Sequence, residues 1–385
     1  MDRKIRVGLV YGGKSGEHEV SLQTALAVIR AFDHATYEIV PFYITKEGQW
    51  RSGPVLAGPI DRLEALKFEA KGESGDQVTP AISFASDEHP LEALFGHVSS
   101  PKKSGDPAAG KIKPLDVVFP LLHGTYGEDG TIQGLIEMAN VPYVGAGVLA
   151  SAVGMDKVMM KKMFAQEGLP QCVFRHFTRK QWESEREFHL LEMETALGYP
   201  CFVKPANLGS SVGITKAKNR DQLIAAIDEA FQYDRKVIVE EFVDAREVEV
   251  AVLGNDDPAA SVPGEIVSSN EFYDYRAKYI DGKSGMVIPA ELPEGKSDEL
   301  RNLAIRAFQA VDGSGLSRVD FFVRKFDSEI LINEINTMPG FTPFSMYPLL
   351  WKESGKSYQE LLNDLIRLAM ERFEDKKRLK YSFEV

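Results

Sequence analysis

Three short stretches of the chain carry residue types suited to work on a phosphorylated substrate. Residues 204–213 read Lys-Pro-Ala-Asn-Leu-Gly-Ser-Ser-Val-Gly. A lysine closes an apolar run, and a loop of small residues follows. Small residues let backbone N–H groups approach phosphate oxygens closely, and the lysine supplies the counter-charge. A plain surface hairpin can have the same composition, so this loop is only moderately specific by itself.

The second stretch is Ser317-Arg318-Val319-Asp320-Phe321, and the third runs from Ile332 through Asn333, Glu334, Ile335 and Asn336 to Gly340. On a strand, side chains two apart share a face, so Arg318 lies beside Asp320 and Glu334 beside Asn336. Asp320, Glu334 and Asn336 together offer hard oxygen ligands of the kind Mg²⁺ takes while keeping waters and substrate phosphates. No histidine or thiolate set competes, which argues against zinc. Either strand alone reads as a solvated polar face. Two of them beside a phosphate-type loop make that reading much weaker.

A fourth stretch is a decoy. Residues 8–15, Gly-Leu-Val-Tyr-Gly-Gly-Lys-Ser, match the P-loop pattern G-x-x-x-x-G-K-[ST]. The first glycine of a P-loop belongs just past its strand, whereas Gly8 lies inside one. The helix should begin at the Lys-Ser pair, but Gly16, Glu17 and His18 delay it. Glu17 and Glu19 also put negative charge where phosphates would sit. A glycine turn leading into a helix is the better reading.

The elements that must position these residues follow from periodicity. Residues 5–10, 20–32 and 37–44 read as strand, helix and strand, a βαβ rhythm that predicts a parallel sheet with helices on its faces. Residues 53–113 have no clean period and carry clusters of Gly, Pro, Ser and Asp; they read as an elaboration on this first domain. A strand at 116–120, a loop at 123–130 (His-Gly-Thr-Tyr-Gly-Glu-Asp-Gly) and a helix at 131–139 complete it. A helix at 156–166 stops at Gly168 and Pro170. A strand at 200–205 opens onto the 207–213 loop. The pairs 237–243 with 247–253, and 317–323 with 330–335, alternate as antiparallel strands do. A last helix starts at Ser357 with Glu360 as its capping-box partner. Its apolar stripe is Leu361, Leu362, Leu365, Ile366 and Ala369. The fold class is therefore mixed α/β and α+β.

Composition narrows the partners. The net charge of −12 argues against nucleic acid and anionic membranes, which would repel the chain at long range. Nothing approaches the roughly 20 apolar residues of a membrane span. The N-terminus has no apolar signal core, so a cytoplasmic protein is expected. The two cysteines, Cys172 and Cys201, could make one disulfide at most; two packed thiols in a reducing compartment are the expectation.

Taken in order, the segments carry a resemblance. They are Glu17 in Ser15-Gly16-Glu17-His18-Glu19, the loop 123–130, Met155-Asp156-Lys157, the loop 204–213, residues 272–279 (Phe-Tyr-Asp-Tyr-Arg-Ala-Lys-Tyr), Arg318 to Asp320, and Glu334 to Gly340. Together they resemble the D-alanine–D-alanine ligase family of the ATP-grasp superfamily. The likeness runs from Val7 to about Leu350, with 53–113 less clear. Each piece is modest; the joint match is highly specific.

The resemblance implies a peptide-like bond made in two steps. ATP phosphorylates one D-alanine carboxylate, and the amine of a second D-alanine displaces the phosphate, for peptidoglycan synthesis. It implies an N-terminal preATP-grasp domain at 1–150. A two-part ATP-grasp domain, at 151–242 and 243–385, would follow with a lid at 268–290. Lys157 and Lys204 match ATP-phosphate lysines, and Lys278 matches a lysine near the transferred phosphate. Ser210 and Ser211 lie in the phosphate loop. Glu240 and Val243 match adenine contacts, and Glu247 a ribose contact. Asp320, Glu334 and Asn336 match ligands of two Mg²⁺ ions, with Mn²⁺ as an alternative. Glu17 and His123 match the first D-alanine pocket, Arg318 and the Gly340 N–H the oxyanion site, and Ser345 the second substrate's carboxylate. Ser210 and Tyr279 match residues that link to Glu17 and close the site. Relatives that make D-alanyl-D-lactate typically carry histidine in the lid, so Tyr279 points to D-alanine as second substrate. Met338 departs from the family, where a small polar residue is frequent. A homodimer is the family's common state. Another ATP-grasp ligase, or an ATP-binding regulator without turnover, are the competing readings.

Overall fold

Val7, Leu9 and Val10 have essentially no exposed surface in strand β1 (Ile5–Gly12). Such a strand needs neighbours on both edges and cover on both faces. The computed structural model, which describes residues 3–68, 114–209, 212–267, 285–342 and 344–380, supplies both. β1 pairs in parallel with β2 (Tyr37–Ile44) on one edge, and with a strand formed by residues Val117–Leu121 on the other. A short strand, β3 (Trp50–Ser52), which the periodicity did not announce, adds antiparallel to β2. With β4 for Val117–Leu121, the order is β3-β2-β1-β4. Helix Thr131–Met138 seats Ile132 and Ile136 in the core with Val10, Phe42 and Val118.

The described parts of residues 1–145, 340–343 and 357–385 form this first compact unit. The last helix, Tyr358–Lys376, starts with the expected capping box, Ser357 with Glu360. It belongs to this compact unit. The reason is packing: its stripe of Leu361, Leu362, Leu365, Ile366 and Ala369 is buried, Tyr37 donates to Asn363 at 2.8 Å, and Lys376 pairs with Glu137. Of the region at 53–113, residues 63–66 form a 3₁₀ turn whose Leu66 carbonyl accepts the Tyr11 hydroxyl at 3.0 Å. Residues 69–113 lie outside the description.

The second unit, from residues 146–339 and 344–356, contains two antiparallel sheets. The first has the order β5-β8-β6-β7, from β5 (Phe174–Thr178), β6 (Cys201–Pro205), β7 (Thr215–Ala217) and β8 (Lys236–Glu241). The second follows β12-β11-β9-β13-β14, with β10 paired to β9. Its strands are β9 (Ala245–Gly254), β10 (Ala259–Ala260), β11 (Gly264–Val267), β12 (Gly285–Val287), β13 (Gly315–Arg324) and β14 (Ile330–Asn336). Helix Lys296–Ala310 covers one face. There Leu300, Ala304, Ala307 and Phe308 share a core with Val248, Val250, Val319, Phe321, Ile332 and Ile335. Strand alternation then leaves Glu247, Glu249, Arg318 and Asp320 on the opposite face.

One irregularity decides where the third motif points. Phe321 pairs with Ile332, but Asp320 pairs with Glu334, so Asn333 is skipped. This bulge resets the alternation. Ile332 and Ile335, three apart, both reach the core. Glu334 stands opposite Asp320, and Asn336 opposite Arg318.

Candidate active site

In the first unit, β1 ends at Gly12, and the helix begins only at His18 (His18–Ala31). Gly8 is within the strand, so the P-loop geometry is absent. Gly12 has φ +93°, and a Cβ there would meet the Ile44 carbonyl oxygen at 2.1 Å, so the turn needs glycine. Ser15 donates to the His123 carbonyl at 2.6 Å, tying this turn to the loop after β4. His123 Nε2 lies 3.1 Å from Thr24 Oγ1. Glu17 occupies the N-cap but makes no side-chain capping bond. Ligand atoms of Glu17, His123 and Glu128 instead lie within 4.8 Å of one another. Glu17 and His123, both buried, are thus brought together. Glu128, which sequence reasoning missed, accepts the Gly124 N–H at 2.7 Å and closes the loop. Gly340 lies partly buried in this same unit.

In the second unit, Asp156 caps helix Lys157–Gln166 by accepting from Val158 and Met159, both at 3.1 Å. Lys157 begins the helix; its N–H donates to Ala206 O at 2.9 Å and its ammonium to Leu208 O at 3.0 Å. Lys157 therefore stands against the start of the small-residue loop. It also lies 3.4 Å from Glu334. Lys204, buried at the end of β6, donates to Glu240 of β8 at 2.7 Å. Lys161, another residue missed, stands 3.3 Å from the same carboxylate. Burial pushes the Glu240 carboxyl up, but Lys161 and Lys204 outweigh it and hold the group at about 2. Burial pulls Lys204 down while Glu240 and Glu334 push it up; the ion pairs win, and it stays charged.

On the polar face of the larger sheet, Arg318 donates from two nitrogens to both oxygens of Asp320, each at 2.7 Å. Glu249 meets the same guanidinium at 2.9 Å, and Asn336 donates to Asp320 at 3.0 Å. Burial would lower the Arg318 pKa, but Asp320, Glu249 and Glu334 raise it well above its ordinary value. The donor set Asp320, Glu334 and the Asn336 carbonyl suits a hard cation such as Mg²⁺. Asn336 is bonded through its nitrogen, which leaves the choice of donor atom to a rotation of its amide.

Val243 and Glu247 are half-buried, before and within β9. Ser345 is the N-cap of helix Met346–Glu353, with no side-chain capping bond. Ser210, Ser211, Lys278 and Tyr279 lie outside the described residues, as does the expected lid except at 285–290, where β12 forms an edge strand. Cys172 and Cys201 are buried free thiols. No described helix is long and apolar enough to cross a membrane. Two missed residues left a trace in the sequence. Lys161 is four residues after Lys157 on one helix, and Glu249 is two after Glu247 on one strand.

Two family models match this chain, D-ala D-ala ligase N-terminus over residues 6–146 and D-ala D-ala ligase C-terminus over residues 163–367. The D-alanine–D-alanine ligase of Bacillus cytotoxicus is 54% identical over 379 residues, covering 98% of this chain and 99% of the relative. The enzyme of that name from Listeria monocytogenes is 49% identical over 388 residues, covering 99% and 100%. Among solved structures, the D-alanine–D-alanine ligase of Coxiella burnetii aligns with a TM-score of 0.75 at 32% identity, over 98% of this chain and 97% of that one. The VanG D-Ala:D-Ser ligase of Enterococcus faecalis aligns with 0.77 at 34% identity, over 95% and 100%. Matched along nearly its whole length by both halves of the family, the chain belongs to the D-alanine–D-alanine ligase family.

Proposed function

We propose that this protein joins two D-alanine molecules into D-alanyl-D-alanine and converts ATP to ADP and phosphate. The observation that carries the reading is its near-54% identity to a D-alanine–D-alanine ligase over essentially the whole of both chains. The two clusters of predicted site residues support it.

A free carboxylate is a poor electrophile with a poor leaving group. One carboxylate oxygen of the first D-alanine attacks the γ-phosphorus of ATP, and ADP leaves. The amine of the second D-alanine then attacks the acyl phosphate, forms the C–N bond, expels phosphate and loses a proton. Glu17 is the counter-charge for the first substrate's ammonium, with His123 lining the same pocket. Lys157, Lys204 and Lys278 neutralise ATP phosphates, with Ser210 and Ser211 as loop donors. Glu240, Val243 and Glu247 meet the nucleoside. Arg318 and the Gly340 N–H stabilise the oxyanion. Ser345 receives the second carboxylate. Ser210 and Tyr279 link to Glu17 and close the site. Asp320, Glu334 and Asn336 would hold divalent cations, two Mg²⁺ or Mn²⁺, which offset charge on the phosphates when bound.

The reading extends to a cytoplasmic homodimer with an N-terminal domain and a two-part ATP-grasp domain. The second substrate is D-alanine rather than D-lactate or D-serine, on the strength of Arg276-Ala277-Lys278-Tyr279 and the high identity to D-alanine-named relatives. The test is phosphate release from ATP and Mg²⁺ with D-alanine, L-alanine or no amino acid. Release only with D-alanine supports the reading, and release indifferent to D-alanine sinks it. Coupling D-lactate or D-serine faster than D-alanine at neutral pH refutes the second-substrate assignment.

A further inference from the structure

Lys161 has no exposed surface. Buried lysines keep their charge only beside an anion, and the carboxylate that Lys161 meets is Glu240, at 3.3 Å. Two other groups that its ammonium approaches are uncharged. The Phe174 ring centroid is 5.8 Å away, and Cys172 Sγ is 3.6 Å away. Burial, then Glu240, push the Cys172 thiol up, so it stays neutral. Lys204 shares the other oxygen of Glu240 at 2.7 Å. Two buried ammonium groups thus divide one buried carboxylate.

That division is asymmetric. Lys161 is anchored deep in helix Lys157–Gln166, whereas Lys204 ends β6 where the small-residue loop begins. A nucleotide arriving at that loop must draw Lys204 toward itself. Without a second cation, the move would strip a buried carboxylate of its partner, and breaking such a pair is strongly unfavourable. We propose that Lys161 is a positioning residue of the nucleotide site: it holds Glu240 in place, so that Lys204 can exchange this carboxylate for the nucleotide. The proposal rests on the reading that Lys204 and Glu240 border the nucleotide, and it gives a role to a lysine that touches neither substrate.

The test titrates ADP, without D-alanine, into the wild-type protein and into Lys161→Met, Lys161→Arg, Glu240→Gln and the Lys161→Met/Glu240→Gln double variant. Lys161→Met, similar in length but uncharged, weakens ADP binding about tenfold or more, and Lys161→Arg restores it to within about threefold. In turnover, the Lys161→Met loss falls on the ATP KM more than on kcat. The double variant binds ADP no more weakly than Glu240→Gln alone, because without the carboxylate Lys161 has nothing to hold. Should Lys161→Met fail to fold, the comparison of the double variant with Glu240→Gln carries the test, since those two proteins differ only at Lys161. Unchanged ADP binding in Lys161→Met, or a double variant whose loss is the product of the two single losses, overturns the proposal. A wild-type protein that binds ADP but releases no phosphate with D-alanine fails the ligase reading alone, and the same titrations still decide the role of Lys161.

Discussion

Arg318 and Asp320, two residues apart on β13, are locked in a two-point ion pair, with both N–O distances at 2.7 Å. Proposed oxyanion donor and proposed metal ligand therefore hold each other. Glu249 grips the same guanidinium at 2.9 Å from the adjacent strand. If a cation claims Asp320, Glu249 remains to keep Arg318 aimed.

This geometry sets the outcome for Arg318→Lys. An ammonium keeps the charge but cannot span both Asp320 oxygens and also meet Glu249. The charge balance of the buried cluster survives, so folding should. Loss of a placed donor costs about a hundredfold or more in kcat. Steady-state turnover beside a melting curve checks this. Near-wild-type kcat would remove Arg318 from the oxyanion site.

Glu334→Gln tests the metal assignment. It removes a ligand charge and almost no volume from a half-buried position on β14. The Mg²⁺ concentration for half-maximal activity should rise about tenfold, in the range typical of damage around a metal site. Binding of Mn²⁺ with ADP, followed by calorimetry, should weaken in parallel. Full activity at limiting Mg²⁺ would show that Glu334 is not a ligand.

Much of this was legible in the sequence because strands and loops advertise themselves locally. Val7, Leu9 and Val10 announce a covered strand, and Ser357 with Glu360 announces a helix start. Arg318 and Asp320 share a face by simple alternation. Glu334 is different. Strict alternation from Ile330 would send it into the core with Ile332, and only the bulge at Asn333 turns it out. A bulge depends on the partner strand, so no run of residues on β14 reveals it. Lys161, Glu128 and Glu249 were passed over for a related reason. Lys161 and Glu249 act through partners distant in sequence and Glu128 through the Gly124 N–H that closes its own loop, and a lone charged residue on a helix, loop or strand reads as surface until that partner is seen. The stripe of the last helix shows that it packs, not what it packs against.

Glu17→Gln separates a substrate contact from a helix end. An acid at a helix N-terminus contributes only about 0.3–1 kcal/mol through the dipole, and here the side chain makes no capping bond. Glutamine keeps the volume of this buried side chain and can keep a hydrogen bond, so stability should change less than substrate binding. The KM for D-alanine should rise about tenfold or more, the worth of a charge-assisted contact to an ammonium group. A variant that loses stability but keeps its D-alanine KM would return Glu17 to a structural role.

The Glu240 carboxyl makes a pH prediction. Held at about 2 against an ordinary 4.5, it is depressed in the folded state. Its contribution to stability is therefore complete above 4.5 and disappears as pH falls from there through about 2. Urea midpoints of the wild type and Glu240→Gln should differ at neutral pH and converge across that window. Carboxylates common to both proteins cancel in the difference. A gap that stays constant down to the acid end would mean that Glu240 is not held charged by Lys161 and Lys204.

Deleting Asn333 tests whether the bulge aims Glu334 or merely tolerates an extra residue. The register on either side is continuous without it: Phe321 opposite Ile332, then Asp320 opposite Glu334. A chain lacking Asn333 keeps Ile332 and Ile335 in the core and Glu334 on the polar face, so the sheet should form. What it loses is the local kink and added twist that a bulge gives its strand, and with them the direction of the Glu334 carboxylate relative to Asp320. Misplacement by about 1 Å is enough to cost about a hundredfold in rate. The expected result is a modest fall in melting temperature and a large fall in kcat, with weaker Mn²⁺ binding. Equal kcat in the two proteins would mean that Glu334 reaches its cation without the bulge, and that Asn333 is retained for some other contact on β14.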